Sequence, residues 1–505
     1  MNPKASAHLD PQRDLFRIEL QHLVDRRHPL VQLADQIQWS EFESAFAPLF
    51  CTDNGRAACP VRLMVGLHYL KHSFDLSDED TVAQWVENPY WQYFCGGKFF
   101  EHRLPIDPSS MSRWRGRLKE AGVEKMLAEL IATGLRSGAI RPTMLERINV
   151  DTTVQEKFIR FPTDARLYDR MRERLVTTAQ RRGIALRQSY ARVGRWALTS
   201  QQRYASAQQF RRARRMTKRL HTLLGRVVRD IERKTTKRDG ELTELLSRAR
   251  RLLAQQRQDR EKLYSVHAPE VECLAKGKAQ KRYEFGCKVS VASTSRGNWI
   301  VGAQALHGNP YDGHTLGGAL QQVERISGQK PQTAFVDLGY RGHGVEGASA
   351  IHVVPRKRRH LAKSLRRWMN RRAAIEPVIG HLKSEHRMER NRLKGQGGDQ
   401  LNAVLSACGF NLRKLLRAFF CLDWLESLLA TLRCLHQPLS AYPCLENHFF
   451  RIDCNSHLKR ARTHFGEELD RIRRFIVPVC ADADQNHRPF GAADSHEVGS
   501  LRVRS

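Results

Sequence analysis

Late in the chain stands Arg372-Ala-Ala-Ile-Glu376-Pro-Val-Ile-Gly-His-Leu-Lys383. Arg372, Glu376 and Lys383 are separated by four and then seven residues. At ~3.6 residues per turn they share one helix face. Ile375, Val378, Ile379 and Leu382 supply apolar neighbours that anchor such a helix. Pro377 lacks an N–H and clashes one turn back, so the helix starts or kinks close to it. A carboxylate between two cations suits one metal ligand beside two phosphate contacts.

Two further acids lie at the right kind of place upstream. Arg147-Ile-Asn-Val-Asp151-Thr-Thr-Val154 reads as a strand with Asp151 as its single acid. A charge on a half-buried strand is costly unless it binds something, a structural salt bridge being the plainer reading. Gln332-Thr-Ala-Phe-Val-Asp337 reads as an apolar strand ending in an acid. Between them, Tyr283–Ser293 and Asn298–Leu306 form a hairpin joined at Ser295-Arg-Gly-Asn298, and a short helix runs to about Ile326. Ile351-His-Val-Val-Pro355 is another strand, closed by Arg356-Lys-Arg-Arg359. Strands interleaved with helices predict an α/β domain.

The chain has 505 residues, enough for two or three domains. Lys and Arg number 85 against 53 Asp and Glu, a net charge of +32. That excess calls for a polyanionic partner, nucleic acid first. Residues 1–13 are polar and lack the apolar core of a signal peptide. No apolar run reaches the ~18 residues of a membrane span, so a cytoplasmic, nucleoid-associated location is expected. The 11 Cys are scattered and never form Cys-x2-Cys, so they read as reduced thiols, not a disulfide framework or a zinc site.

Residues 1–30 are expected to be flexible and 31–140 to be helical. Leu63, Leu67 and Leu70 repeat at helix spacing after Pro60, and Thr81, Val82, Trp85 and Val86 after them. A third helix, capped by Ser109 or Ser110, carries Arg113, Trp114, Arg115, Arg117 and Lys119. Short helices ending in a basic one suit a DNA-reading module, and equally a structural one. From about 166 to 265 the text is basic and helix-favouring. Leu220, Leu224, Val227 and Ile231 align with Leu242, Leu245, Ala249 and Leu252 across the turn at Thr236–Gly240, predicting a helical hairpin with a cationic exterior that suits phosphates. Residues 421–505 hold one more helix, around Leu425–Leu432, and a tail expected to be poorly ordered.

Arg-x3-Glu-x6-Lys resembles the Tyr-x2-Arg-x3-Glu-x6-Lys signature of bacterial insertion-sequence DDE transposases, with Met369 where the Tyr would fall. The wider text is similar to the IS-Five group: Cys59–Leu70, Glu87–Phe94, Asp151–Lys157, Tyr283–Val289, Gly308-Asn-Pro-Tyr-Asp312-Gly-His314, Val336-Asp-Leu-Gly-Tyr-Arg341-Gly and Arg387–Gly395. The resemblance runs from about 30 to 420. It implies a ribonuclease-H-like catalytic domain over 145–420, interrupted by the helical insertion, after an all-α N-terminal domain that binds DNA.

The resemblance also implies a catalytic triad of Asp151, Asp337 and Glu376, all three as metal ligands, with Asp151 bridging two Mg²⁺ ions for which Mn²⁺ can substitute. Arg372, Lys383, Arg341, Arg113 and Arg115 are the expected DNA contacts. The partners implied are double-stranded DNA, as terminal inverted repeats and target, and a second copy of the chain. A nuclease of the same fold and a DNA-binding derivative without chemistry are the two alternatives. Among rival acids, Glu385 and Glu389 read as solvated partners of Arg387 and Arg390. Asp312 and His314 read as loop-fixing or as lying near the site, and Glu156 and Lys157 as a substrate contact or a local ion pair.

Overall fold

The computed structural model describes residues 18–50, 58–235, 240–256, 258–259, 261–275, 282–347, 349–355 and 361–436, with side chains through 420. The first 17 residues, the turn at 236–239, the basic run at 356–360 and the tail beyond 436 lie outside the described residues.

Eight helices come first: α1 Leu20–Leu23, α2 Pro29–Gln36, α3 Trp39–Phe46, α4 Val61–Ser73, α5 Asp78–Glu87, α6 Pro89–Phe94, α7 Ser109–Arg136 and α8 Pro142–Leu145. Within residues 18–30, Leu20, Val24 and Leu30 reach the core while most of the others face solvent. Leu20 is fully buried and its N–H donates to the Lys98 carbonyl at 2.8 Å. The cap position of α7 is not a serine: it falls on Pro108, and Asp107 Oδ1, two residues before Ser109, takes the Ser109 N–H at 2.9 Å.

Strand β1, Arg147–Glu156, opens the sheet. Four helices follow it: α9 Asp164–Arg181, α10 Ala191–Ser206, α11 Phe210–Lys234 and α12 Gly240–Ala254. They close a core of their own, in which Leu220, Leu224, Val227 and Ile231 meet Leu242, Leu245, Ala249 and Leu252 as expected. Leu175 and Ala179 of α9 join that seam, so the unit is larger than a hairpin. Outward from α11 point Arg211, Arg212, Arg214, Arg215, Lys218 and Arg219.

The chain returns through β2 Glu272–Leu274, β3 Glu284–Thr294 and β4 Ile300–Leu306 to α13, Asp312–Ser327. Then come β5 Thr333–Val336, β6 Ala350–Val353, α14 Lys363–Arg371, α15 Ile375–Glu385 and α16 Gly395–His436. The sheet order is β2-β3-β1-β5-β6, with β4 also on β3. β3 runs antiparallel to β1, whereas β5 and β6 run parallel. This mixed sheet with helices on it is consistent with a ribonuclease-H-like fold. Gly286 is required where β3 passes β1, since a Cβ there would lie 1.9 Å from the Gln155 carbonyl oxygen. The N-terminal helices are not set apart by a core of their own: Leu67, Trp114 and Leu130 belong to one cluster with Val150, Val291 and Leu405.

Buried histidines tie that shared core together. His68 Nδ1–H donates to the Met64 carbonyl at 2.7 Å, and His386 Nδ1–H to the His72 carbonyl at 2.8 Å. Burial lowers all three, His68 to about 3, His386 to about 4, and His72 well below its usual value. A histidine held neutral in the folded chain but titrating near 6.5 when unfolded stabilises fully above 6.5 and loses that as pH falls. Each such group contributes up to about 1.4 kcal/mol per pH unit in that window. Thermal unfolding followed from pH 7.5 to 5 is expected to show a steadily falling midpoint. A flat profile across that range contradicts this reading.

Candidate active site

The site begins with strand register. β1 and β5 run parallel with Ile148 opposite Ala334 and Asn149 opposite Phe335. Carried two residues further, that register sets Asp337 beside Asp151. Asp337 sits just past the end of β5, and its Oδ1 accepts the Gly339 N–H at 2.9 Å, capping the short 3-10 turn Leu338–Tyr340.

The third acid comes from the helix side. A 3-10 turn, Arg372–Ala374, breaks the chain between α14 and α15. Pro377 then falls in the first turn of α15, where a helix has N–H groups without partners anyway. This junction is pinned to the sheet by a ring of polar contacts. Arg371 Nε donates to the Ser295 carbonyl at 2.8 Å, Ser295 Oγ donates to Asn149 Oδ1 at 2.8 Å, and Asn149 Nδ2 donates to the Arg371 carbonyl at 3.4 Å. Met369, in place of the signature Tyr, fills a small core with Phe335 and Val354.

The pinned junction projects Arg372 into the acids. Its Nη2 lies 2.6 Å from Asp151 Oδ2 and 3.7 Å from Asp337 Oδ2, and its Nη1 lies 3.6 Å from Glu376 Oε1. The Asp151 and Arg372 side chains are mostly buried (15% and 14% exposed), whereas Asp337 and Glu376 keep 41% and 66%. The site is therefore closed on the strand side and open on the helix side. All donors are carboxylate oxygens grouped about one cationic centre, the set that suits a hard divalent cation.

Asp312, at the start of α13, belongs to this neighbourhood. Its Oδ1 accepts from Thr152 Oγ1 at 3.1 Å and pairs with Lys288 Nζ at 3.1 Å. A Cβ on Gly339 would stand 3.0 Å from Asp337 Oδ1 and 3.3 Å from Asp312 Oδ2, so both carboxylates flank that backbone. Beneath them the Tyr340 hydroxyl is buried with no hydrogen-bond partner. Burial, then the charges of Asp151, Asp312 and Asp337, push its ionisation far above the ordinary range. Asp312 thus fixes its loop and lies near the acids at once. His314 stays exposed, against the Tyr311 ring.

The remaining sequence-derived positions separate. Lys383 is half-buried, two turns along α15 from Glu376, and Arg341 is exposed just past Tyr340. Arg113 is exposed on α7 and donates to Ser109 Oγ at 2.6 Å. Arg115 corrects the sequence reading: its guanidinium is 4% exposed and makes two hydrogen bonds to Asp78, at 2.7 and 2.6 Å, so it is spent inside the protein. Its neighbours Trp114 and Leu118 bury the same helix face. Glu385 pairs with His381 and Arg413, at 2.5 and 2.7 Å, and not with Arg387, which turns to Asp75. Lys157 is a buried structural ion, 2.8 Å from Glu270 and 2.7 Å from Asp399.

Residues 18–117 match a family model described as "Transposase domain (DUF772)", and residues 321–416 match one described as "Transposase DDE domain". A Rhizobium meliloti protein described as "Uncharacterized protein ORF8 in nfe locus" is 51% identical over 199 residues, which cover 39% of this chain and 96% of that protein. No solved structure matches the chain. The chain belongs to an insertion-sequence transposase family. The matched domains support a DNA transposase and imply DNA substrates, and the DDE domain implies a divalent metal. Asp337, Arg372, Glu376 and Lys383 fall inside the second matched segment, and Asp151 lies outside both. Among the described residues, no helix is long and apolar enough to cross a membrane.

The contrast between Arg113 and Arg115 is testable. For Asp78, burial alone would raise the carboxyl, but the hydrogen bonds of Arg115 and the charge of Lys71 outweigh it and hold it far below its usual range. Removing one partner of a buried pair costs on the order of 3–5 kcal/mol. Arg115→Ala is expected to lower the unfolding midpoint markedly, whereas Arg113→Ala leaves it within a degree or two and weakens DNA binding. Equal midpoints for the two variants would contradict the assignment.

Proposed function

We propose that this chain is a transposase of the IS-Five group that binds the terminal inverted repeats of its own element, hydrolyses the DNA ends to free 3′-hydroxyls, and joins those to target DNA. The observation that carries the reading is the convergence of Asp151, Asp337 and Glu376 on the Arg372 guanidinium, within 2.6–3.7 Å. Three carboxylates gathered on one guanidinium outnumber the charge that balances them and leave room for a further cation.

In this reading Asp151, Asp337 and Glu376 would hold a pair of divalent cations, Mg²⁺ or Mn²⁺. When bound, such a pair supplies Lewis-acid activation of the attacking oxygen and stabilises the leaving oxygen of an in-line displacement. The protein's own groups do the rest. Arg372, relieved of its role as counter-ion, holds a phosphate by a bidentate contact. Lys383 and Arg341 hold the flanking strand as point and fork donors. The Asn149–Ser295–Arg371 ring keeps the helix junction in register with the strand acids. Arg113 on α7 and the outer cations of α11 bind DNA backbone away from the cut, in a salt-dependent way.

The domain reading is a ribonuclease-H-like unit over 145–420 with about 166–265 inserted, a DNA-binding helical part over 31–140, and flanking segments 1–30 and 421–505. The working form is a homodimer holding two ends, in the cytoplasm at the nucleoid.

The test is cleavage and joining of a DNA fragment carrying the element's own ends, with Mg²⁺ or EDTA, by wild type and Asp337→Ala. Metal-dependent nicking followed by strand transfer is expected. Both should fall by at least about a thousandfold in the variant while end-binding persists. Cutting without joining would make the protein a nuclease. Binding without chemistry in the wild type would make it a DNA-binding derivative.

A further inference from the structure

A second set of ligand-type side chains lies elsewhere on the sheet. Cys287 is on β3, His307 follows β4, and Asp399 is in the opening turns of α16. One donor atom from each lies within 4.8 Å of the others. Cys287 and Asp399 are buried, and the His307 side chain keeps 19% exposure. Both ring nitrogens of His307 are nonetheless out of solvent and without a hydrogen-bond partner. Glu272 Oε2, next to them, is in the same condition. Idle buried polar atoms are costly, and two on one imidazole ask for an occupant.

The distances say what kind. His307 Nε2 stands 3.8 Å from Asp399 Oδ2, and Nδ1 stands 3.7 Å from Glu272 Oε1. Both are too long for hydrogen bonds. Donors around a tetrahedral zinc ion, by contrast, sit roughly 3.3–3.7 Å apart, given bonds of about 2.0–2.3 Å. Asp399 has one oxygen to give. Its Oδ1 is taken by Lys157 Nζ at 2.7 Å and Asn391 Nδ2 at 2.6 Å, and Oδ2 faces His307.

We infer that Cys287 Sγ, His307 Nε2 and Asp399 Oδ2 form a site for a zinc-class transition-metal ion, with Glu272 Oε1, now 3.7 Å behind Nδ1, closing on the Nδ1–H when the ring is metal-bound. Thiolate, imidazole and carboxylate together select zinc or cobalt over Mg²⁺, which avoids sulfur. A carboxylate behind a ligating histidine is the usual way such a ring is aimed. Charge also favours a cation. Glu270 and Asp399 share the ammonium of Lys157, and Glu272 adds a further carboxylate beside His307. On binding, the Cys287 S–H bond is replaced by a sulfur–metal bond and the proton leaves to solvent. Burial pushes that thiol up, so uptake strengthens with rising pH. The ion would clasp the start of α16 to the β3 edge. It is separate from the three acids, and it does not rest on the transposase reading.

The rival occupant is a proton, leaving an imidazolium between Glu272 and Asp399. Titrating chelator-stripped full-length protein with Co²⁺ separates the two. We expect one equivalent to produce a thiolate-to-cobalt charge-transfer band in the near ultraviolet with tetrahedral visible bands, reversed by Zn²⁺. The band should persist in Glu376→Gln and vanish in Cys287→Ala, and His307→Gln should weaken binding roughly tenfold or more. Absence of the band in the wild type overturns the site, as does its survival in Cys287→Ala. Should Cys287→Ala misfold, the wild type alone decides: a His307 ring that stays protonated at neutral pH and ignores Zn²⁺ by NMR also overturns it.

Discussion

Like charges at close range govern this structure. Asp151, Asp337 and Glu376 carry like charge and need something cationic among them. Arg372 stands there, 2.6 Å from the first and under 4 Å from the others. The surrounding architecture fixes that meeting from both sides. Parallel pairing of β1 with β5 sets the two aspartates side by side, and the Asn149–Ser295–Arg371 contacts set the helix junction over them.

The rest of the chain can be understood as support for that arrangement. The core beneath β1 is continuous with the N-terminal helices, so those helices stiffen the strand that carries Asp151. Buried ions serve the same end: Asp78 joins α5 to α7 through Arg115, and Lys157 joins the end of β1 to Asp399 on α16. Such pairs contribute less to net stability than to fixing one arrangement over others. The four helices after β1 have their own core and turn a row of arginines outward.

Much of this was legible in the sequence because it is periodic or local. The strand around Asp151, the acid at the end of β5, the Glu376 helix and the apolar seam of α11 and α12 all follow from spacing. What was not legible depends on pairing across the chain. Asp312 looks like a loop residue until β3 brings Lys288, and β1 brings Thr152, to its oxygen. Arg115 resembles Arg113 in any one-dimensional reading, yet one turns inward to Asp78 and the other to solvent. Strand β2 has three residues, too short to show alternation. Cys287 and His307 are separated by a hairpin, so no Cys-x2-Cys spacing could have pointed to their meeting with Asp399.

Three carboxylates from three elements would together form one cation site. Fe²⁺ substituted for Mg²⁺, with ascorbate and peroxide, cuts the backbone wherever the ion is held. Cuts are expected next to Asp151, Asp337 and Glu376 together, all suppressed by excess Mg²⁺ and all reduced by Glu376→Gln. Cuts at only one of these segments, or cuts that Mg²⁺ does not suppress, would contradict that shared site.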